Sequence, residues 1–541
     1  MKTNRIKIYL LLLVLVAGFT QSCTDGFEDM NKDPKNPTQT SMPSLFNKII
    51  STLPLVGQEI TAVHHGVYYF QTQQLANAKP EYPMASGSND LWNNYYYNLK
   101  NIHLLYQELD AYQTDLKKDN AKACIDILLA YKTLHMLDYF GDMPFFNAGQ
   151  GLYGTAYYMV AYDKQEEVYK HCIDLMKQAS QALSTATGDQ YSFSSGDTFL
   201  KGDISKWKKF ANSILLRYGM QLADADAAYT TLVGELLGDS GKYPMLSGTD
   251  IIGLWPKDLA NTLFENHPWS YRENNTSCLG TTMWKAMSDN DNVDGSGIFD
   301  PRCFVFFEPN NDGEWKAHPQ NGTPASGEGQ GLGPYFNQNY PTGRGKGATE
   351  QEWNNKTEAC RFSPVNFYLA SNEDYIPEIM VTAAEVHFLR AEAYTRGIGV
   401  SKNTATAETE YEAGIKSSLH FWYDKVVEPC AQWIFYKPTL TSEQETTYLK
   451  REAFSSNDAT ALKQIYKQMW IDSFRQPWVS FNLYRRTLNT PRDESGTYNS
   501  ADYNFHKVPY PESEKNYNLD NFNKATDGGN NATDKKLFWH K

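Results

Sequence analysis

One stretch constrains this chain more than any other: Asp374–Gly397, DYIPEIMVTAAEVHFLRAEAYTRG. The spacing predicts a single long helix. Pro377 suits a first helical turn, where no backbone N–H is required, and Gly397 suits a stop because it turns left-handed at little cost. Between them apolar residues cover almost the whole circumference. Ile379, Ala383, Val386 and Ala393 share one side; Met380, Ala384, Phe388 and Ala391 share another. Only a narrow polar stripe remains, formed by Glu378, Glu385 and Glu392. A helix that is apolar on two sides must be packed on two sides, and its alanines let neighbours come close. Helices inside a stack of tetratricopeptide-like hairpins behave this way.

Helical periods recur on both sides of a different kind of region. Leu91–Leu109, capped by Asn89 or Asp90, turns Trp92, Tyr95, Leu99 and Ile102 to one face, which reads as core. Ala121–Phe140 follows and breaks at Gly141–Pro144. Asp163–Glu166 has the form of a capping box, and Asp203 caps Ile204–Leu222. Further on, Ala407–Trp422 and Ala459–Phe474, the latter with Asp458 as cap, are helical, and the last fifty residues read as an irregular surface wrap. With no alternation of strand and helix, a doubly wound sheet is disfavoured. The fold class is therefore mainly α.

Residues 242–373 differ in composition. They are rich in Gly, Asn, Asp and Pro, and hold five of the twelve tryptophans: Trp255, Trp269, Trp284, Trp315 and Trp353. Long loops are usually functional or disordered, and disorder is normally poor in aromatics, so this region reads as ordered and ligand-binding. Aromatic rings stack on the C–H faces of sugars while polar side chains read the hydroxyls. The candidate platforms are Trp255, Trp269, Tyr271, Trp284, Trp315 and Tyr335, with Arg272 and Asn274 as polar readers. The glycine runs at 326–333 and 343–347 neither follow a strand nor open a helix, so they read as loops and not as phosphate cradles. Ser288–Asp300, SDNDNVDGSGIFD, is the one stretch with the flavour of a calcium loop. Its acidic spacing is out of frame with an EF-hand and it has no Glu at the twelfth position, so no cofactor is expected. A net charge of −13 argues against a nucleic-acid partner.

The N-terminus carries an address. Lys2, Arg5 and Lys7 precede a short apolar run, Ile8–Ala17, which is too short to span a membrane and reads as a secretory signal. Phe19-Thr20-Gln21-Ser22-Cys23 is similar to a bacterial lipobox, with Thr20 where Leu is usual. Lipidation of Cys23 is expected, and two or three acyl chains would hold the protein durably where one would not. The expected organisation is a signal peptide over 1–22, a lipid-anchored tether over 23–41, scaffold helices over 42–241, the irregular region over 242–373, further scaffold over 374–490, and a C-terminal wrap over 491–541. The six other cysteines (Cys124, Cys172, Cys278, Cys303, Cys360 and Cys430) form no CxxC, so they read as isolated buried thiols and not as a zinc site.

Eight stretches, in order, carry a resemblance. They are Asn31–Thr38 (NKDPKNPT), Asp138–Pro144 (DYFGDMP), Ser213–Leu222 (SILLRYGMQL) and Asp300-Pro301-Arg302; then AEVHFLRAEAYTRG, Tyr411–Trp422 (YEAGIKSSLHFW), Gln468-Met469-Trp470 and Tyr484–Pro491 (YRRTLNTP). Val508–Glu512 (VPYPE) is similar to a terminal pattern that more often begins with an Arg-containing pair. Together they resemble the SusD/RagB family of nutrient-binding outer-membrane lipoproteins of Bacteroidetes, in its SusD-like branch. The resemblance implies tetratricopeptide-like helix pairs carrying an irregular ligand-binding region. It also implies binding of oligosaccharides, or in some members peptides, without catalysis, and delivery to a SusC-like TonB-dependent outer-membrane transporter. Asp25, Glu28 and Asp29 resemble a surface-export signal of these bacteria. Two rivals are weighed against this. A glycosidase needs a carboxylate pair, which 63 Asp and Glu residues make unspecific. A periplasmic solute-binding lipoprotein needs two α/β lobes, which the helical periods disfavour.

Overall fold

Amphipathic segments joined by short turns leave each helix with one face to bury, and neighbours in sequence bury it for one another. A computed structural model gives the result for residues 41–55, 57–76, 84–255, 278–310, 313–320, 362–366, 369, 376–430, 438–493 and 504–541. The first scaffold helices are α1 (Met42–Ile50), α2 (Met84–Ala111), α3 (Asp119–Phe140), α4 (Gln165–Ala182), α5 (Ile204–Leu222) and α6 (Ala227–Gly238). A π-helical segment, Glu59–Tyr68, precedes α2. After strand β1 (Ile251–Leu254) comes the short α7 (Thr281–Met287). Strand β2 (Glu378–Thr382) leads into α8 (Ala383–Arg396), then α9 (Thr404–His420), α10 (Ser442–Arg451), α11 (Asp458–Asp472) and α12 (Pro477–Thr487). Two short helices, α13 (Glu512–Tyr517) and α14 (Leu519–Ala525), lie near the C-terminus. The hairpins α3/α4, α5/α6 and α8/α9 pack side by side, with α8 also touching α5 and α11. Helix α8 is thus covered on two sides, as its sequence requires.

The long helix expected over Asp374–Gly397 is shorter than that. Residues 376–377 are not helical, and Glu378–Thr382 is a fully buried strand paired antiparallel with β1, from Ile251 opposite Thr382 to Leu254 opposite Glu378. The run Ile379-Met380-Val381-Thr382 suits a strand as well as a helix, and a buried partner decides the matter. The ladder has a bulge at Ile252/Gly253, where a Cβ on Gly253 would come 2.7 Å from the Glu378 carbonyl oxygen. The Thr382 hydroxyl then caps α8 by accepting from the Glu385 N–H at 3.0 Å. At the other end Gly397 takes φ 76, the expected left-handed stop.

The acidic stripe is not solvated either. Glu385 is buried and accepts from Arg217 of α5 at Nε (2.5 Å) and Nη2 (2.6 Å). Glu392 is fully buried and accepts from both Nη atoms of Arg486 at 2.7 Å, and from Arg396 at 2.9 Å. Burial pushes the Glu392 carboxyl up, but Arg486 and Arg396 outweigh it and hold it at about 2. Glu378, on the strand, is pushed by burial to about 7 against the pull of Arg475 and His64.

Other local expectations shift for identifiable reasons. Asp163 caps nothing on α4; its Oδ2 accepts from the Phe145 and Phe146 N–H groups at 2.7 and 3.0 Å. The α4 terminus is capped instead by Asp142, whose Oδ1 accepts from the Gln165 N–H at 3.0 Å. Helix α2 begins at Met84, so Asp90 lies inside it and accepts from the Gln58 N–H at 3.3 Å. Asn457, one residue before Asp458, caps α11. The C-terminal segment is more than a surface wrap. Val508, Tyr510, Leu537 and Trp539 are buried, the Val508 N–H donates to the Tyr139 carbonyl at 2.7 Å, and the Trp539 indole donates to the Tyr169 hydroxyl at 3.1 Å. Among the described residues no helix is long and apolar enough to cross a membrane.

Candidate ligand-binding surface

The irregular region is held by a web of single bridges and not by a sheet. Ala76 and Cys278 exchange both backbone hydrogen bonds, at 2.9 and 3.0 Å. Leu279 N–H donates to the Ser363 carbonyl at 2.9 Å, Thr281 N–H to the His318 carbonyl at 3.0 Å, and Asn366 N–H to the Phe306 carbonyl at 2.8 Å. These bridges satisfy backbone groups that a loop-rich segment would otherwise bury unpaired.

Inside this web lie two of the expected platforms, and they are core. Trp284 is 4% exposed and Trp315 is 7% exposed. Their rings stack with centroids 6.4 Å apart and planes at 19°, and Phe304 meets Trp315 edge-on at 5.5 Å. The Trp284 indole donates to Asp291 at 2.9 Å. Gly295, at φ 75, passes so close that a Cβ would come 2.7 Å from the Trp315 ring. Neither indole has a face left for a ligand, because large rings are the cheapest way to fill a core that has little regular structure. Trp255 differs: it follows β1 directly and is only half-buried. Trp269, Tyr271, Arg272, Asn274 and Tyr335 lie outside the described residues, as do the two glycine runs, Cys23 and Cys360.

The calcium-like stretch spends its polar groups locally. Asp291 takes the Trp284 indole, Asp294 accepts from the Ser296 N–H at 2.9 Å, and Asp289 pairs with Arg451. Among the described residues no group of three His, Cys, Asp or Glu side chains is placed to hold a metal ion. Cys124, Cys172, Cys278 and Cys303 are buried, and burial pushes the Cys124, Cys172 and Cys303 thiols up.

A polar junction at the edge of the web escaped the sequence reading. Gln73 is buried and takes φ 56, a left-handed conformation unusual for a residue with a side chain. Its Oε1 accepts from the Thr282 hydroxyl at 2.6 Å and the Asp493 N–H at 2.7 Å. Asp493 in turn accepts from Lys285 Nζ at 3.0 Å and from the Thr281 hydroxyl at 3.2 Å. Arg492 donates to the Gln71 carbonyl at 2.7 Å and lies over the Tyr484 ring at 4.2 Å. Three segments far apart in sequence meet here, so no local spacing could signal it.

Residues 34–511 match the SusD-like family described as starch-binding and associating with the outer membrane. A comparison with curated proteins gives no match. Among solved structures the chain is similar to a chitin-binding protein at 18% identity and TM-score 0.70, over 92% of this chain and 100% of the other. A SusD homologue from Parabacteroides distasonis shows 18% identity and TM-score 0.66, over 93% and 98%. A chitin-binding SusD homologue from Flavobacterium johnsoniae shows 19% identity and TM-score 0.62, over 92% and 97%. The paired helices and the bridged irregular region are thus the SusD-like fold, and SusD-like binding proteins are non-catalytic. The chain belongs to the SusD-like family of nutrient-binding proteins associated with the outer membrane.

Proposed function

We propose that the protein binds oligosaccharides at the cell surface and passes them to a SusC-like TonB-dependent transporter. The observation that carries this reading is the family match over residues 34–511, described in terms of starch binding. Two similar structures are named as chitin-binding, which makes β-linked N-acetylglucosamine oligomers the first ligands to try. The half-buried Trp255, with Trp269, Tyr271, Arg272, Asn274 and Tyr335, supplies the stacking and hydroxyl-reading groups. Trp284 and Trp315, which are core, are left out of the site. Lipidation of Cys23 anchors the chain, and two or three acyl chains make the anchoring durable.

Calorimetry of residues 24–541 against chitohexaose, maltohexaose, cellohexaose and a peptide pool tests the reading. Saturable binding to one glycan class, lost in Trp255→Ala/Trp269→Ala with the melting temperature kept, is the expected result. Binding to peptides alone keeps the transport role and replaces the ligand. Release of shorter glycans by the pure protein would overturn it. Co-purification of a β-barrel from the outer membrane with the native chain tests the partner, and metabolic labelling with an alkyne fatty acid, lost in Cys23→Ala, tests the anchor.

A further inference from the structure

A polar and aromatic groove lies beside the Trp284–Trp315 pair, joined to it by Phe304. It is about 500 Å³ in volume and runs between residues 289–304 and helix α10. Ile298, Pro301 and Phe304 give it an apolar lining, and Phe304 is the ring that meets Trp315 edge-on. Arg451 sets one end. Its guanidinium lies 3.6 Å over the Phe299 ring and its two terminal nitrogens grip the two oxygens of Asp289, Nη1 to Oδ2 at 2.8 Å. Phe299 is braced on Tyr448, with ring centroids 6.5 Å apart and planes at 20°. The Tyr448 hydroxyl donates to the fully buried Asp300 at 2.6 Å.

An exposed ion pair adds little to stability. This one is nonetheless held in a fixed plane by two stacked rings and a buried anchor, as a preorganised contact is. Helix α10, which carries Arg451, offers further polar groups to the groove. Among the described residues no hydrogen bond uses the Glu443 carboxylate, the Thr447 hydroxyl or the Gln444 Nε2, whose Oε1 is occupied by the Thr441 N–H at 2.8 Å. Two carboxylates, Asp289 and Glu443, and one guanidinium line the groove, so its lining is net negative and disfavours anions. An apolar lining with a fixed carboxylate–guanidinium plane, a second carboxylate, an amide and a hydroxyl suits a neutral, polyhydroxylated chain.

We propose that this groove is a second carbohydrate subsite, selective for neutral over acidic oligosaccharides. It rests on the glycan-binding reading above. The test titrates residues 24–541, wild type and variants, with chitohexaose, maltohexaose, cellohexaose and an oligogalacturonide. Glu443→Gln and Arg451→Met are each expected to weaken binding of the neutral hexasaccharide roughly tenfold, the scale of one lost charged hydrogen bond. Glu443→Lys is expected to admit the oligogalacturonide. Glu443 has no hydrogen-bond or ion-pair partner among the described residues, so its variants decide the matter even if Arg451→Met disturbs the loop. Unchanged affinity in the Glu443 variants, with the wild type binding, overturns the groove and leaves the primary reading intact. A wild type that binds none of the four overturns both.

Discussion

Arg302 and Asp300, two residues apart, form a fully buried ion pair, with Nη2 to Oδ2 at 2.7 Å and Nε to Oδ1 at 3.0 Å. Arg302 also donates to Ser418 of α9 at 2.9 Å, to Tyr448 of α10 at 2.9 Å and to Gln468 of α11 at 2.7 Å. Burial raises the Asp300 carboxyl, but Arg302 outweighs it and the net shift is downward. One guanidinium thus ties the irregular region to three scaffold helices. Removing it strands a buried carboxylate, which costs about 3–5 kcal/mol. Arg302→Met should lose that much in urea unfolding, and a loss below about 1 kcal/mol would show that the network relaxes around the gap.

Glu392 gives the scaffold an acid-sensitive joint. Its carboxyl sits near 2 when folded, against an ordinary value of 4.5. A depressed carboxyl stabilises above its unfolded value and loses that contribution as pH falls toward its folded one. The window is therefore pH 4.5 down to about 2, and the amount at stake is roughly 3 kcal/mol. Glu59, also near 2, titrates over the same range, so the comparison must be by difference. The stability gap between wild type and Glu392→Gln should be wide at pH 6 and narrow at pH 3; a constant gap would mean Glu392 does not titrate there.

Glu378 has the opposite sign. Its carboxyl is raised from 4.5 to about 7, so its neutral form suits the fold. A raised carboxyl contributes stability below its unfolded value and loses it as pH rises through the folded one. Glu378→Gln should match wild type near pH 4.5 and exceed it by roughly 1–3 kcal/mol at pH 8. Melting temperatures at the two values check this, and a variant less stable at pH 8 would show that the ionised carboxylate is the form the fold needs.

The stretches that made the family legible are the same buried staples. Asp138 of DYFGDMP accepts from Tyr169, Gln221, Tyr218 and Asn482 at 2.7–2.8 Å. Arg217, Arg302 and Arg486 each close a buried pair. Such residues can be read from sequence because charge inside an apolar period has few tolerable places. The ligand surface offers no such signal. Trp284 and Trp315 had the right composition for a platform, yet composition cannot distinguish a ring that fills a core from one that faces solvent. Gln73, Lys285 and Asp493 meet only through the fold. The strand at Glu378 reads as helix because its β-branched and apolar residues satisfy a helical period, and only its distant partner, Ile251–Leu254, claims them for a sheet.

A close approach between α8 and α9 makes the last prediction. Gly414 of α9 faces Phe388 of α8, and a Cβ there would fall 2.5 Å from the ring. In isolation the change to alanine would favour the helix by about 1 kcal/mol. The ring is fully buried, however, so it cannot move aside without disturbing the core. Overpacking of this kind costs about 1–3 kcal/mol and should win. Gly414→Ala is therefore expected to destabilise, and Phe388→Leu, which shortens the side chain, should destabilise by leaving a void. Combined, the two should destabilise by less than the sum, because the new methyl enters space the ring has left. Urea unfolding of the four proteins closes the cycle. Strict additivity would mean that the helices separate to admit the methyl, and that the tight seam between α8 and α9 is not what holds this hairpin together.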